Sequence, residues 1–228
     1  TAVTAQTLEE GKKFLYYERY NSAKEVFEKL LAAKPNDADA SYWLGQPYLG
    51  MENISQARQT YQTALQSNGN NPLLLAGMGQ VELMENKATD ARNRFETALS
   101  LTKSKNLDVL HAVARANVYS KGGDPSYAIS KLQLATALKG FKDASVYITM
   151  GDAYRKMVDG GNAVVAYKQA LMLDPVMAAA RHKEGQIYET QKNREYFLPA
   201  FEEAVQMDPN YGPAFYSLYV FWYYRDVA

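Results

Sequence analysis

Two stretches of the sequence, MGDAYRKMVDGGNAVVAYKQAL at 150–171 and LGQPYLGMENISQARQTYQTAL at 44–65, share few letters but carry one sparse pattern. In both, a glycine is followed at offsets of 3, 12, 16 and 19 residues by tyrosine, alanine, tyrosine and alanine. A pattern that keeps its offsets while the other letters change indicates a repeated structural unit. The matching residues are Gly45, Tyr48, Ala57, Tyr61 and Ala64 in one copy and Gly151, Tyr154, Ala163, Tyr167 and Ala170 in the other.

The glycine position recurs along the whole chain of 228 residues at intervals of 34 to 37 residues. Its occupants are Gly11, Gly45, Gly79, Ala116, Gly151 and Gly185, followed by Tyr219 in a last, incomplete copy. A bulky residue follows sixteen positions later in each complete copy, namely Phe27, Tyr61, Phe95, Leu132, Tyr167 and Phe201. The sequence therefore predicts six complete repeats in phase and part of a seventh.

The spacing inside each copy predicts two α-helices. Apolar residues recur at intervals of 3, 4 and 7, which is the helical period, and a short polar turn such as 159–162 separates the two runs. Gly or Ala at the recurrent position lets the two helices approach closely, and Pro35 and Pro175 end the second helix. One hairpin cannot bury its apolar face alone, so the units are expected to stack.

These residues and offsets resemble the tetratricopeptide repeat over about residues 4–226. The resemblance implies an all-α fold, a right-handed superhelical solenoid of six stacked antiparallel hairpins with one extra C-terminal helix. The chain is then a single solenoid over 1–228. The repeat boundaries are expected near 4–37, 38–71, 72–106, 107–142, 143–177 and 178–210, with a partial unit at 211–228.

Four positions depart from the repeat pattern. Glu82 stands where an aromatic residue is expected, and Ala116 replaces a glycine. Phe197 replaces a small alanine, which should push its helices apart or displace a neighbour. Pro47 lies inside a predicted helix, where a proline costs about 3 kcal/mol and predicts a kink. Tolerated local bending and a reshaped groove both explain these departures.

Composition limits the possible partners and compartments. The chain has 25 basic residues (Lys and Arg) and 25 acidic residues (Asp and Glu). This balance argues against binding to nucleic acid or to an anionic membrane. No apolar run is long enough to span a bilayer, so membrane insertion is not expected. Residues 1–5 are read as the remnant of a secretory signal, as tag residues or as the start of a domain excised from a longer chain, which leaves exported (periplasmic) and cytoplasmic locations open.

Motifs for catalysis or cofactor binding are missing. The sequence has no cysteine, no HExxH, no GxSxG elbow and no phosphate-binding GxxxxGK[ST] loop. Its two histidines, His111 and His182, lie in separate repeats. We therefore predict no catalysis, no catalytic or metal-ligating residue and no cofactor.

The resemblance implies that the first helix of each hairpin lines the concave groove. If the recurrent Gly or Ala is called place eight, places five and nine face the groove. Leu8 and Lys12 occupy them in the first repeat, where relatives that bind the carboxylate tails of chaperones carry Lys and Asn, so that ligand class is not expected. The predicted partner-binding residues are Tyr42, Gln46, Gln80, Asn117, Ile148, Asp152, His182 and Gln186, with Arg155 and Lys156 attracting acidic residues.

The last segment, 211–226, is apolar nearly all round, whereas a terminal repeat normally has a polar outer face. Either the natural chain continues, or this surface pairs with another copy in a homodimer. The candidate interface residues are Phe215, Tyr219, Trp222 and Tyr223.

Taken together, the sequence favours a protein–protein interaction scaffold or adaptor that binds a peptide or protein segment in its groove. The alternative is a partner-recruiting or regulatory repeat region of a longer enzyme or of a secretion or envelope assembly. The absence of catalytic motifs is what favours the scaffold.

Overall fold

A computed structural model describes residues 2–227, with side chains from 7 to 224. Thr1 and the side chains of 2–6 lie outside the described residues, so the expected signal or tag remnant at 1–5 stays a prediction. The described chain forms thirteen α-helices and contains no strand. They are α1 (Ala2–Tyr16), α2 (Tyr20–Ala33), α3 (Ala38–Gly50), α4 (Ile54–Asn68), α5 (Pro72–Met84), α6 (Ala88–Leu101), α7 (Leu107–Tyr119), α8 (Pro125–Thr136), α9 (Ala144–Lys156), α10 (Gly160–Leu173), α11 (Ala178–Thr190), α12 (Arg194–Met207) and α13 (Gly212–Val227).

The helices pack in hairpins within two compact units, Thr1–Asp124 and Pro125–Ala228. The first unit contains the hairpins α1/α2, α3/α4 and α5/α6 together with α7, and the second contains α8, the hairpins α9/α10 and α11/α12, and α13. We call the earlier helix of each hairpin its first helix and the later one its second helix. The all-α, tetratricopeptide-like class of fold is confirmed. The repeat boundaries and the single-domain reading stay predictions.

Local sequence explains where the helices begin and turn. Asp37 accepts a hydrogen bond from the backbone N–H of Ala40 at 2.9 Å and caps α3, and Asp159 caps α10 in the same way through Asn162. The turns inside five hairpins place one residue in the left-handed region. Val158 is the costly case, with φ of 61° and a branched Cβ, because left-handed backbone is strained for side chains of this shape.

A glycine in the first helix and a buried aromatic ring from the second helix hold each of five hairpins together. We call this glycine the socket. A Cβ at any socket would lie closer to the ring than van der Waals contact allows, so only glycine fits the spacing. The rings are at most 1% exposed, and each buried ring contributes about 1.5–3 kcal/mol. The pairs are Gly11–Phe27, Gly45–Tyr61, Gly79–Phe95, Gly151–Tyr167 and Gly185–Phe201.

The departures from the repeat pattern have local explanations. Glu82 is 4% exposed and accepts a hydrogen bond from Arg94 Nε at 2.6 Å, so a partly buried ion pair replaces the missing aromatic residue. The ring of Phe197 contacts the ring of Phe221 in α13 at 5.7 Å, and the extra volume therefore packs against the last helix. Helix α3 continues through Pro47 to Gly50.

Replacing a socket glycine should cost more stability than replacing a glycine elsewhere, and Gly151 in α9 and Gly161 in α10 allow this comparison. Gly151→Ala should lower the free energy of unfolding by about 1–3 kcal/mol, because the added Cβ overlaps the buried ring of Tyr167. Gly161→Ala is the matched control, since its Cβ would meet only Asp159 Oδ1 at 3.8 Å. The control should be neutral or slightly stabilising because Ala is the better helix former. Urea unfolding measures the free energy of unfolding of both variants. An equal loss in both would show that the contact with Tyr167 does not require a glycine at residue 151.

Candidate functional site

Most of the predicted groove residues lie beneath the surface rather than on it. Seven of the ten are only 2–8% exposed, namely Tyr42, Gln46, Gln80, Asn117, Ile148, Asp152 and His182. Gln186 is half-buried, and Arg155 and Lys156 are exposed. The structure thus divides the predicted set into a buried layer and a few surface side chains, and the binding role of all ten stays a prediction.

In the first unit, the buried amides pair with one another and with a tyrosine. Gln46 Nε2 donates to Gln80 Oε1 at 3.1 Å and to the hydroxyl of Tyr61 at 2.9 Å. That hydroxyl donates to the carbonyl of Tyr42 at 3.1 Å, and burial raises the pKa of Tyr61 well above its usual value. This network ties α3, α4 and α5 together, so these amides position the helices that carry the surface.

Asn117 also makes its hydrogen bonds inside the protein. Its Nδ2 donates to the carbonyl of Val113 at 2.9 Å, and its Oδ1 accepts from the backbone N–H of Asp124 at 3.2 Å. The side chain therefore fastens the segment after α7 to the helix itself. A Cβ at Gly123 would collide with the carbonyl of Asn117, which explains why a glycine occupies this turn.

In the second unit, the residue at place nine again bonds to the tyrosine of the second helix, but it is a carboxylate instead of an amide. Asp152 accepts a hydrogen bond from the hydroxyl of Tyr167 at 2.8 Å, just as Gln46 bonds to Tyr61. Lys183 Nζ donates to both oxygens of Asp152 at 3.0 Å and balances the buried carboxylate. A buried charge is tolerated only with such pairing.

His182 joins α11 to α13. Its Nε2 lies 2.8 Å from Ser217 Oγ, and its ring contacts the rings of Phe201 and Tyr211 at 5.3 and 5.7 Å. Its Nδ1 is buried without a hydrogen-bond partner among the described residues. Burial, with smaller contributions from Lys183 and Arg155, lowers the pKa of His182 from 6.5 to about 4, so the ring is neutral at pH 7.

The surface members of the predicted set are basic. Arg155 Nη1 donates to Gln186 Oε1 at 2.8 Å, which is a bond to a neutral amide. Among the residues that the structure describes, neither Arg155 nor Lys156 is within ion-pair distance of a carboxylate. These two cations are therefore available to an acidic partner.

The structure also shows a surface depression that the sequence analysis did not predict. It lies in the first unit, where the indole ring of Trp43 is flanked by Lys12 Nζ at 5.0 Å and by the guanidinium of Arg115 at 5.4 Å. Arg115 Nε is buried without a hydrogen-bond partner among the described residues. The lining residues are Leu8, Lys12, Asp39, Tyr42, Trp43, Leu73, Asp108, His111, Ala112 and Arg115.

Acidic and basic side chains both line this depression. Asp39 and Asp108 lie in the first turns of α3 and α7, where the helix dipole favours carboxylates. Desolvation, Asp37 and Asp108 raise the pKa of Asp39, and Lys12 opposes the rise. Only Tyr42 of this lining belongs to the predicted set. A rare tryptophan, one of two in the chain, was the signal that could have pointed to the site.

The predicted C-terminal interface residues are exposed on α13. Phe215, Tyr219, Trp222 and Tyr223 are 40–62% exposed. The opposite side of the helix is engaged, since Phe221 contacts Phe197 and also the guanidinium of Arg194 at 5.1 Å.

Among the described residues, no group of three or more His, Cys, Asp or Glu side chains is placed to hold a metal ion. No helix of the same part of the chain is long and apolar enough to cross a membrane.

Family models for the tetratricopeptide repeat match residues 14–81 and, separately, residues 144–176 and 178–211. Together they match more than half of the chain, and the protein belongs to the tetratricopeptide repeat family. Membership in this family supports a role as a protein-interaction scaffold. No curated protein sequence matches this chain significantly.

Similar solved structures share the fold at low identity. PilW, described as a widely conserved type IV pilus biogenesis factor, is 14% identical with a TM-score of 0.60 over 96% of this chain and 99% of its own. YrrB, described as a TPR protein with an unusual peptide-binding site, is 22% identical with a TM-score of 0.51 over 85% and 98%. The APC/C complex Cut9–Hcn1 is 18% identical with a TM-score of 0.56 over 91% of this chain, which spans only 40% of that relative.

The buried histidine predicts a loss of stability in mild acid. The unfolded chain takes up a proton near pH 6.5, whereas folded His182 resists protonation until about pH 4. Stability is therefore fully present above pH 6.5 and falls as the pH drops through this window. We expect the contribution of His182 to fall by about 2 kcal/mol between pH 7 and pH 5.

Urea unfolding at the two pH values, compared with His182→Gln, measures this contribution. The glutamine can still bond to Ser217 but does not titrate, and His111 remains in both proteins. If both proteins lose the same stability on acidification, His182 is not the group responsible.

Proposed function

We propose that this protein is a non-catalytic scaffold or adaptor that binds segments of another protein on the surfaces that the first helices form within each unit. The observation that carries the proposal is the depression around Trp43, where side chains from α1, α3, α5 and α7 converge. An aromatic ring, two aliphatic side chains and charged groups on one concave surface suit a peptide better than a small polar substrate.

The depression offers different chemistry to different parts of a bound segment. Leu8, Leu73 and the edge of Trp43 can contact an apolar side chain. Arg115 is half-buried beside Trp43, and its guanidinium would donate a charge-assisted hydrogen bond to a carbonyl or carboxylate oxygen of the segment. A partner would thus be held by an apolar contact beside a polar one, which fixes its register.

The second unit is proposed to attract acidic residues. Arg155 and Lys156 are exposed at the end of α9, and Gln186 on α11 adds an amide beside them. An acidic side chain placed here would gain a charge-assisted hydrogen bond.

The buried members of the predicted set have a supporting role in this proposal. Gln46, Gln80, Asn117 and Asp152 use their polar atoms within the protein, and Tyr42, Ile148 and His182 are packed. They hold the first helices at fixed spacing, so that the surface is formed before the partner arrives. Pre-formed surfaces bind with a smaller loss of conformational entropy.

An alternative proposal is that the chain recruits partners for a longer enzyme or for a secretion or envelope assembly. The fold shared with PilW, a pilus biogenesis factor, is the observation that favours it. Purified complexes discriminate the two, because a catalytic or secretion component would be present in every complex under the alternative. Nucleic acid is not proposed as a partner, since the formal net charge is zero.

We expect partner capture to depend on Arg155 and Lys156, the two exposed cations at the end of α9. Arg155→Glu with Lys156→Glu should reduce the recovery of a specific partner about tenfold or more, because acidic side chains would meet repulsion. The measurement is affinity capture from an extract of the source organism, quantified by mass spectrometry, and repeated with the acidic segment of the partner as a synthetic peptide.

Lys139→Glu with Lys142→Glu is the matched control, with the same change of charge at exposed positions that precede α9, whereas Arg155 and Lys156 lie at its end. Circular dichroism checks that all proteins are folded. Equal loss in both double variants would mean that net charge alone decides capture. Failure of the wild-type chain to retain any partner would count against the scaffold itself.

A further inference from the structure

We propose that the aromatic face of α13 binds a second copy of this chain and forms a two-fold symmetric dimer. The aromatic face is defined by five side chains that are 40–69% exposed and lie within about a third of a turn around the helix axis: Phe215, Tyr216, Tyr219, Trp222 and Tyr223. An exposed apolar surface of this size marks an interaction site.

The geometry of the hairpins shows what this face cannot bind. In five hairpins the first helix receives the aromatic ring of the second helix at its glycine socket. Tyr219 occupies the corresponding position of α13, 34 residues after Gly185, and its ring stacks on Tyr223 with centroids 5.8 Å apart. With a tyrosine in place of the socket, a helix cannot pack on α13 as the second helices pack elsewhere in this protein.

The remaining side of α13 is already used within the unit. Ala214 is fully buried, Ser217 bonds to His182, and Phe221 contacts Phe197. These contacts hold the helix on α11 and α12 and leave the aromatic face directed away from them. The helix is therefore presented as a rigid surface, which favours association with a partner of fixed shape.

The chemistry of the face suits an identical partner. Residues 212–224 contain no Lys, Arg, Asp, Glu or His, so two copies meet without charge repulsion. A two-fold interface brings the same patch of both copies together, and a uniform aromatic stripe is complementary to itself. Aromatic rings attract each other in both offset-stacked and edge-to-face arrangements. Tyrosine hydroxyls can remain hydrated at the rim of the interface.

The exposed area is close to what a dimer requires. An aromatic side chain presents about 200 Å², so five that are roughly half-exposed offer about 500 Å² per copy. A standard interface buries about 800 Å² per partner, and the aliphatic and backbone atoms around the rings can supply the difference. The proposal does not rest on the groove, because dimerisation and segment binding use different surfaces.

The test measures the mass of the whole chain in solution by size-exclusion chromatography with light scattering. At about 100 µM, a concentration that detects even moderate affinity, the wild-type chain should have twice its monomer mass of 25.6 kDa. Tyr219→Glu and Tyr219→Lys should each raise the dimer dissociation constant about tenfold or more, because an unpaired charge would be buried at the interface. Residue 219 lies near the centre of the stripe, so it should approach its own counterpart across the two-fold axis.

A mixture of the two Tyr219 variants should form the dimer again, since the opposite charges then face each other. Met172→Glu is the control, because Met172 is 74% exposed on α10 and should leave the dimer unchanged. A wild-type monomer at the highest concentration would overturn the proposal, and so would a Tyr219→Glu variant that remains dimeric. Equal weakening by Met172→Glu would also overturn it.

Discussion

The contact between a glycine in one helix and an aromatic ring in the next is the constraint on which the rest of the structure depends. It fixes the distance between the two helices of each hairpin, because any side chain at the glycine would overlap the buried ring. Once that distance is set, neighbouring first helices align and present a common surface. The surface that we propose for binding is thus a consequence of the packing between the first and second helices.

A second, polar contact adds to this constraint in two of the hairpins. The tyrosine ring packs against the socket glycine, and its hydroxyl forms a hydrogen bond with the residue at place nine. That residue is Gln46 in one hairpin and Asp152 in the other. These hydrogen bonds consume polar groups that would otherwise face a partner. The surface chemistry is left to residues one to three positions away, such as Trp43, Arg115 and Arg155.

The period of the sequence was enough to predict the fold, because each repeat carries its own glycine, aromatic residue and turn. The site could be predicted only in part. Places five and nine were expected to face a partner, yet most of their side chains are buried, because the depth of a position depends on how closely neighbouring first helices approach. The depression around Trp43 combines four helices from separate repeats, and no local pattern encodes such a convergence. The exposure of the α13 aromatics agreed with expectation because that segment has too many large apolar residues to bury on one side.

The socket also explains how unlike sequences can share this architecture. Each hairpin places strict demands on a handful of positions, while the outward side chains are free to change without affecting how the helices meet. Substitution over evolutionary time can therefore alter what the protein recognises and leave its frame untouched. Solved relatives that retain the fold at 14 to 22% identity are the expected result of such a division between frame and surface.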